Sequence, residues 1–331
     1  MDLDAYVAVH RGEWARLAEL VGRSGLSGAE ADELVTLYAR VGTHLSVVRS
    51  ASPDPALVGE LSTLVTRARA ALTGTSAPAY RQLGRFFLVG FPAALYRTLP
   101  WWGGTGLAFS LVVLVVGRWV AASPDVQAAI AAPEEVRRLV DVEFEAYYSS
   151  NPAGSFAAQV WTNNAWVAAL CIGAGVLIVP VLWVLLQNAA NLGIAAGLMA
   201  AHDRLGLFFG LITPHGLLEL TAVFVAAGAG LRLGWSWIDP GPRIRAGALA
   251  EEGRAAAGLA VGLVVVLLVS GLIEAFVTPS PLPTWARVGV GALAEGGFLA
   301  YVLVLGRRAV RAGEIGDLIA AERGDVLSTV G

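Results

Sequence analysis

The sequence predicts an all-α, polytopic membrane protein: about six transmembrane helices, preceded by a small cytoplasmic helical bundle and an amphipathic interfacial elbow helix. Three observations carry that prediction. First, only 15% of the 331 residues are charged and 56% are hydrophobic, whereas soluble domains carry about 25% charged residues. Second, the shortfall is uneven. Residues 1–79 read as ordinary soluble sequence, while 103–306 hold several mostly apolar runs. Runs of about 20 residues cross ~30 Å of hydrocarbon at ~1.5 Å per residue. Third, apolar residues recur at helical spacing throughout.

The bundle covers residues 1–77. "EWARLAELV" sets Trp14, Leu17, Leu20 and Val21 on one helical stripe. The next helix opens with Ser27 and Glu30 in capping-box spacing and carries Leu34, Leu37, Val41 and Leu45. Pro53 and Pro55 break it, and "ALVGELSTLVTRARAALTG" forms a third helix ending near Gly74. Met1–Tyr6 is acidic and no apolar h-region follows, so no cleaved leader is expected.

Residues 78–102 are the elbow. Arg81, Arg85 and Arg97 alternate with Phe86, Phe87, Phe91, Leu95 and the pair Trp101–Trp102, as in helices lying at headgroup level. The transmembrane domain, 103–306, follows with spans at 104–121, 157–178, 180–201, 214–233, 256–277 and 288–305. Its extracytoplasmic loop, 123–156, is polar and net acidic, with room for one amphipathic helix. Residues 307–331 form a short tail. Arginines near span ends are more numerous on one side (Arg81, Arg85, Arg97, Arg232, Arg243, Arg245, Arg254, Arg307, Arg308, Arg311) than on the other (Arg118, Arg137, Arg138, Arg204, Arg287). That bias puts both termini in the cytoplasm.

Composition excludes little else. The net charge is −3, with no basic stripe interleaved with aromatics, which argues against nucleic-acid binding. All 23 basic residues are arginine, which points to a GC-rich bacterial genome. Cys171 is the one cysteine and reads as a small buried packing residue.

Polar residues inside the spans collect toward the outer side. They are Asn163 and Asn164 in span two, Asn188 and Asn191 in span three, His215 and Glu219 in span four, Glu274 in span five and Glu295 in span six. Ionised groups at mid-bilayer cost roughly 2.5–3.5 kcal/mol on insertion scales, so such groups usually face a bundle interior or a wet cavity. The expectation is one outward-facing polar pocket enclosed by spans two to six. His215 and Glu219, four residues apart, share a face and form either a structural pair or part of that pocket. Pro214 is expected to start its helix, where its missing N–H costs nothing, and Gly216 to let a neighbouring backbone approach. Asn188 and Asn191 fit inter-helix hydrogen bonds better than the pocket. Glu274, close to a span end, fits an interfacial position better than the pocket, and Glu295 is the better pocket candidate.

Catalytic motifs are missing: no HExxH, GxSxG, P-loop or GxGxxG before a helix. A histidine among carboxylates could bind a divalent metal. Yet His10 and His44 fall in the soluble part and His202 in a loop, so no metal site, cofactor or catalytic residue is expected.

"WTNNAWVAALCIGAGV", "NAANLGIAAG" and "TPHGLLELTAVFVAAGAGL", together with the N-terminal helical segments, resemble the stage II sporulation protein M family, also described as a domain of unknown function. The family's NN and PHG-x-x-E-[LI] elements fall on Asn163, Asn164, Pro214, His215, Gly216, Glu219 and Leu220. Its Asn-Gly step is replaced by Asn191-Leu192-Gly193 or Asn188-Ala189. The resemblance implies an integral plasma-membrane protein. In endospore formers such proteins act in engulfment, holding peptidoglycan-degrading enzymes at the septal membrane without known chemistry of their own. The expected function is therefore a non-catalytic scaffold recruiting envelope or cell-wall partners. The alternatives are a transporter or lipid-handling permease and an intramembrane metal-dependent hydrolase. The expected partners are the lipid bilayer and membrane or cell-wall proteins; homo-oligomerisation stays open.

Overall fold

A computed structural model describes residues 3–23, 25–51, 55–72, 79–147 and 153–316, and every regular element among them is helical. The chain divides between Gln82 and Leu83 into two compact units. Of the sequence expectations, the break at Pro53, the helix end near Gly74 and the tail beyond 316 lie outside the described residues.

The first unit holds α1 (Leu3–Val21), α2 (Gly28–Ala51) and α3 (Pro55–Leu72). Their stripes meet in one core: Trp14, Leu17 and Leu20 from α1, Leu34, Leu37, Val41 and Val48 from α2, Leu61, Leu64 and Ala68 from α3. Pro55 is the first residue of α3, where a proline costs no hydrogen bond. Ser27 and Glu30 close the capping box, the Ser27 N–H donating to the Glu30 carboxylate at 2.8 Å. Arg16 grips Glu33 through two parallel bonds of 2.9 and 2.8 Å, tying α1 to α2.

A half-buried histidine pair gives this unit a pH dependence. The Trp14 indole donates to His44 Nδ1 at 3.2 Å, the His10 ring lies 4.0 Å away centre to centre, and Glu13, itself paired with Arg40, approaches His44 at 3.8 Å. Burial, and then the neighbouring His10, hold the His44 imidazole below its ordinary value of 6.5. The unfolded chain then takes up a proton at His44 before the folded unit does. Stability is therefore greatest above about pH 6.5 and falls as pH drops through that value. Hydrogen exchange of 3–72 in the full chain should show protection declining from pH 7.5 to 5.5, with a flatter slope in His44→Gln. An equal slope in both proteins would refute it.

The second unit begins with short pieces, α4 (Ala79–Arg85, shared across the boundary) and α5 (Phe91–Arg97), joined by a widened π turn at Phe86–Gly90. The expected elbow is therefore helical from 79 to 97 with a π turn inside it, and its last residues, from Leu99 on, belong to the next helix beyond Thr98. Its Phe86 and Phe91 are buried in the main core and do not face outward. Another π turn, Val302–Gly306, packs on α5, and the Tyr301 hydroxyl donates to the Phe87 carbonyl.

The long helices are α6 (Leu99–Ala122), α10 (Ala153–Gly173), α11 (Val179–Ala201), α12 (Leu205–Ile238), α13 (Arg245–Phe276) and α14 (Thr284–Tyr301), which continues into α15 (Arg307–Arg311). Between α6 and α10 lie the short α7 (Pro124–Ile130), α8 (Pro133–Arg138) and α9 (Phe144–Ala146), so the expected loop is largely helical where described. Among the described residues, five helices are long and apolar enough to cross a membrane: α6, α11, α12, α13 and Thr284–Arg311. The expected second span, α10, is not among them. Gln159, Thr162, Asn163 and Asn164 interrupt its apolar character.

α12 is the axis of the unit. One face, through Gly210, Pro214 and Thr221, meets α14: Gly210 packs on Thr284, Gly291 on the Pro214 backbone, Thr221 on Glu295. The opposite face, with His215 and Glu219, meets α13 and α10. Farther along, Gly228 seats Trp102 of α6, and Gly230 seats Cys171 and Gly175. α6 and α11 run parallel: Trp101 and Phe109 share a cavity wall with Leu182 and Ala189, and Gly117 meets Gly193 and Gly197 further on. α10 returns the chain between them. The turn Gly175–Ile178 then reverses it tightly, with Ile178 at φ 59°, a backbone conformation rare for a β-branched residue.

Two details differ from expectation. Pro214 lies inside α12, which starts at Leu205, because Phe208 and Leu211 are buried and carry the helix two turns farther back. Gly216 receives no neighbouring backbone; a Cβ there would meet only Ile212 of its own helix. The close approach is at Pro214 itself.

Candidate functional site

The i, i+4 spacing on α12 sets His215 and Glu219 side by side, and their face is met by a matching stripe: Ser270 and Glu274 of α13, with Thr278 just past its end. His215, Glu274, Ser270 and Thr278 are all buried, at 5%, 4%, 0% and 0% exposure. His215 Nε2 stands 3.7 Å from Glu274 Oε1, and its Nδ1 lies 3.2 Å from Thr278 Oγ1. The Ser270 hydroxyl donates to the His215 carbonyl at 3.1 Å, and Glu219 lies close to both Ser270 and Asn164 of α10. One ligand-type atom from each of His215, Glu219 and Glu274 lies within 4.8 Å of the others. Three helices thus converge on an imidazole and two carboxylates.

The end of the 124–147 connection lies near this cluster. Burial, and next the charges of Glu274 and Glu219, push the Tyr147 phenol above its ordinary value.

The other expected pocket residues are placed elsewhere. Asn163 is exposed on α10 and lines a separate cavity of about 520 Å³ with Gln159, Thr162 and Trp166. Adjacent helical residues point about 100° apart, so only one asparagine of the pair can face α12. Asn188 is exposed and bonds back to the Val184 carbonyl of its own helix at 2.7 Å; Asn191 is exposed as well. Glu295 accepts from Thr221 at 2.9 Å, on the α14 side of α12 and so nearly opposite Glu219. The register of α12 therefore divides the polar residues between two faces, where a single chamber was expected. The buried oxygens Glu274 Oε2 and Glu295 Oε2 have no hydrogen-bond partner among the described residues.

Sequence reasoning passed over Ser270, Thr278, Thr221 and a second polar site at the other end of the unit. There Glu252, 5% exposed, pairs with Arg232 at 2.8 Å and Arg243 at 3.3 Å. Arg232 also donates to the Arg97 carbonyl at 3.1 Å, and Glu251 pairs with Arg243 at 3.0 Å. An apolar cavity of about 600 Å³ lies between α6, α11 and α12, lined by Trp101, Phe109, Leu185 and Ala189 among others. Neither cavity is lined by His215, Glu219 or Glu274.

The family model described as Stage II sporulation protein M matches residues 106–279, and a Domain of unknown function (DUF8413) matches residues 4–74. No curated protein and no solved structure matches the chain. The first match contains His215, Glu219, Glu274 and the candidate asparagines 163, 164, 188 and 191; Glu295 lies beyond it.

Proposed function

This chain belongs to the stage II sporulation protein M family, and we propose that it is a non-catalytic multi-pass scaffold of a bacterial plasma membrane, recruiting envelope or cell-wall remodelling partners. The observation that carries the reading is how the long helices are seated. Backbone meets backbone at Gly175–Gly230, Gly228–Trp102 and Gly291–Pro214. Helices locked at these points resist the rocking that alternating access requires. The His215 cluster, moreover, is knitted by cross-helix bonds and opens to neither described cavity.

The parallel course of α6 and α11 supports a sixth crossing by α10, since the chain must come back through the same thickness between them. Six crossings put both ends of the membrane unit on one side. The end carrying Arg97, Arg232, Arg243, Arg307 and Arg308 is then cytoplasmic. Residues 79–97, one helix with an internal π turn, form the elbow at that surface, and the separately cored bundle of 3–72 is the docking module.

The test is a photo-crosslinker at Val35, 54% exposed on α2, in the full chain in its native membrane. Discrete adducts to an envelope protein are expected, and the protein they identify should no longer co-purify when 1–72 is removed from an otherwise folded chain. The apolar groove favours one competitor, a lipid-handling permease. Lipid exchange in proteoliposomes that Ala189→Trp abolishes would overturn the scaffold reading.

A further inference from the structure

We propose that His215, Glu219 and Glu274 bind one divalent transition-metal ion of the zinc or manganese type inside the membrane unit, whether or not the scaffold reading holds. The separations suit an ion. Two ligand atoms each ~2.1 Å from one metal lie ~3–4 Å apart. His215 Nε2 and Glu274 Oε1 are 3.7 Å apart, and the third ligand atom completes a set within 4.8 Å. One imidazole nitrogen with carboxylate oxygens fits zinc, manganese or ferrous iron better than calcium, which takes oxygens alone, or cuprous copper, which prefers sulfur.

A second observation points the same way. Glu274 is only 4% exposed, yet its Oε2 has no hydrogen-bond partner among the described residues. Buried polar atoms are normally satisfied. A divalent cation between two carboxylates would neutralise both charges and take up that oxygen.

The surroundings hold the ligands in the required sense. A hydroxyl can accept as well as donate, so His215 Nδ1–H can give its proton to Thr278 Oγ1, 3.2 Å away, and turn its Nε2 lone pair toward Glu274. Asn164 lies close to Glu219, and its amide is a donor available to the carboxylate. Metal-binding histidines and carboxylates are typically fixed in this way by neighbours.

The first unit supplies an internal comparison. His10, Glu13 and His44 also bring three ligand atoms within 4.8 Å. There the partner of His44 Nδ1 is the Trp14 indole, which can only donate. His44 Nδ1 must accept, its Nε2 keeps the proton, and the ring has no lone pair to offer. The same residue types therefore make a site in the membrane unit and none in the bundle.

The experiment uses the full chain in detergent, carrying no polyhistidine tag. It is stripped with chelator, loaded with Zn²⁺, desalted and analysed for metal. One zinc per chain is expected, together with a zinc-dependent rise in melting midpoint. Both should be lost in His215→Ala and Glu274→Gln and kept in Glu295→Gln and in the His10→Ala/His44→Ala double variant. Wild-type protein that retains no zinc overturns the proposal, as does equal loss in Glu295→Gln. If the site variants do not stay folded, Co²⁺ loading of the wild type decides. Visible absorption distinct from aqueous Co²⁺ and displaced by Zn²⁺ supports the site, and the aqueous spectrum overturns it.

Discussion

Glu252→Ala should lower the stability of the second unit by about 3–5 kcal/mol, the usual cost of removing one partner from a buried ion pair. The penalty comes from what is left behind. Arg232, with its side chain 17% exposed, loses a carboxylate at 2.8 Å and keeps only the Arg97 carbonyl at 3.1 Å. Arg243 loses its 3.3 Å contact, although it retains Glu251 at 3.0 Å. Three guanidinium groups would then share one carboxylate at the end of an apolar bundle. The control is Arg85→Ala. Its partner Glu314 is reached at 3.1 Å across a pair 57% and 35% exposed, and such surface pairs contribute about 0–1 kcal/mol. Thermal melting in detergent, followed by the fraction remaining monodisperse, separates the two. Equal midpoints for both variants would mean that water or the detergent headgroups replace the Glu252 carboxylate and that the network is ornamental to stability.

Much of the fold was legible because helical period and hydrophobic run length report burial directly. The α1–α3 stripes through Leu17, Val41 and Leu61 became the first core. The shared face of His215 and Glu219 was legible for the same reason. What met that face was not. Ser270 and Thr278 flank Glu274 at the same four-residue spacing, but hydroxyls in apolar helices usually bond back to their own carbonyls. Thr105, Ser110 and Thr162 do so here, at 2.8, 2.8 and 2.7 Å. A serine or threonine alone therefore carries no signal of a cross-helix role. The separation of Glu295 from Glu219 depends on which sides of α12 receive α13 and α14, a choice that no single-helix periodicity contains. Nothing local in the sequence marks Glu252. Its burial comes from Arg232, 20 residues earlier in the chain. Phe86 and Phe91 looked like headgroup aromatics, since aromatic residues next to arginines have the same composition whether they face lipid headgroups or a core.

The glycine seats are where the second large effect is expected. Gly230→Val should cost about 3 kcal/mol or more, at or above the top of the usual range for overpacking. A Cβ at Gly230 would overlap the Cys171 carbonyl oxygen, and the reciprocal Cβ at Gly175 would lie 2.5 Å from the Gly230 Cα. Both obstacles are backbone, so no side-chain rotamer can relieve them; one helix must move off the other. Helices in lipid have little hydrophobic drive to stay together and rely on such close packing, so the displaced contact is hard to replace. Gly103→Ala makes the contrasting case. Nothing lies within 4 Å of a Cβ there, and exchanging glycine for alanine inside a helix contributes up to ~1 kcal/mol of stability. Melting midpoints should therefore fall for the first variant and hold or rise for the second. Gly230→Val should also open a path between α10 and α12, which cysteine-directed labelling of the buried Cys171 would read as a faster reaction. If Cys171 stays as inert as in the wild type while the midpoint is unchanged, α10 rests only loosely on α12, and the argument for a locked scaffold over a rocking transporter loses its footing.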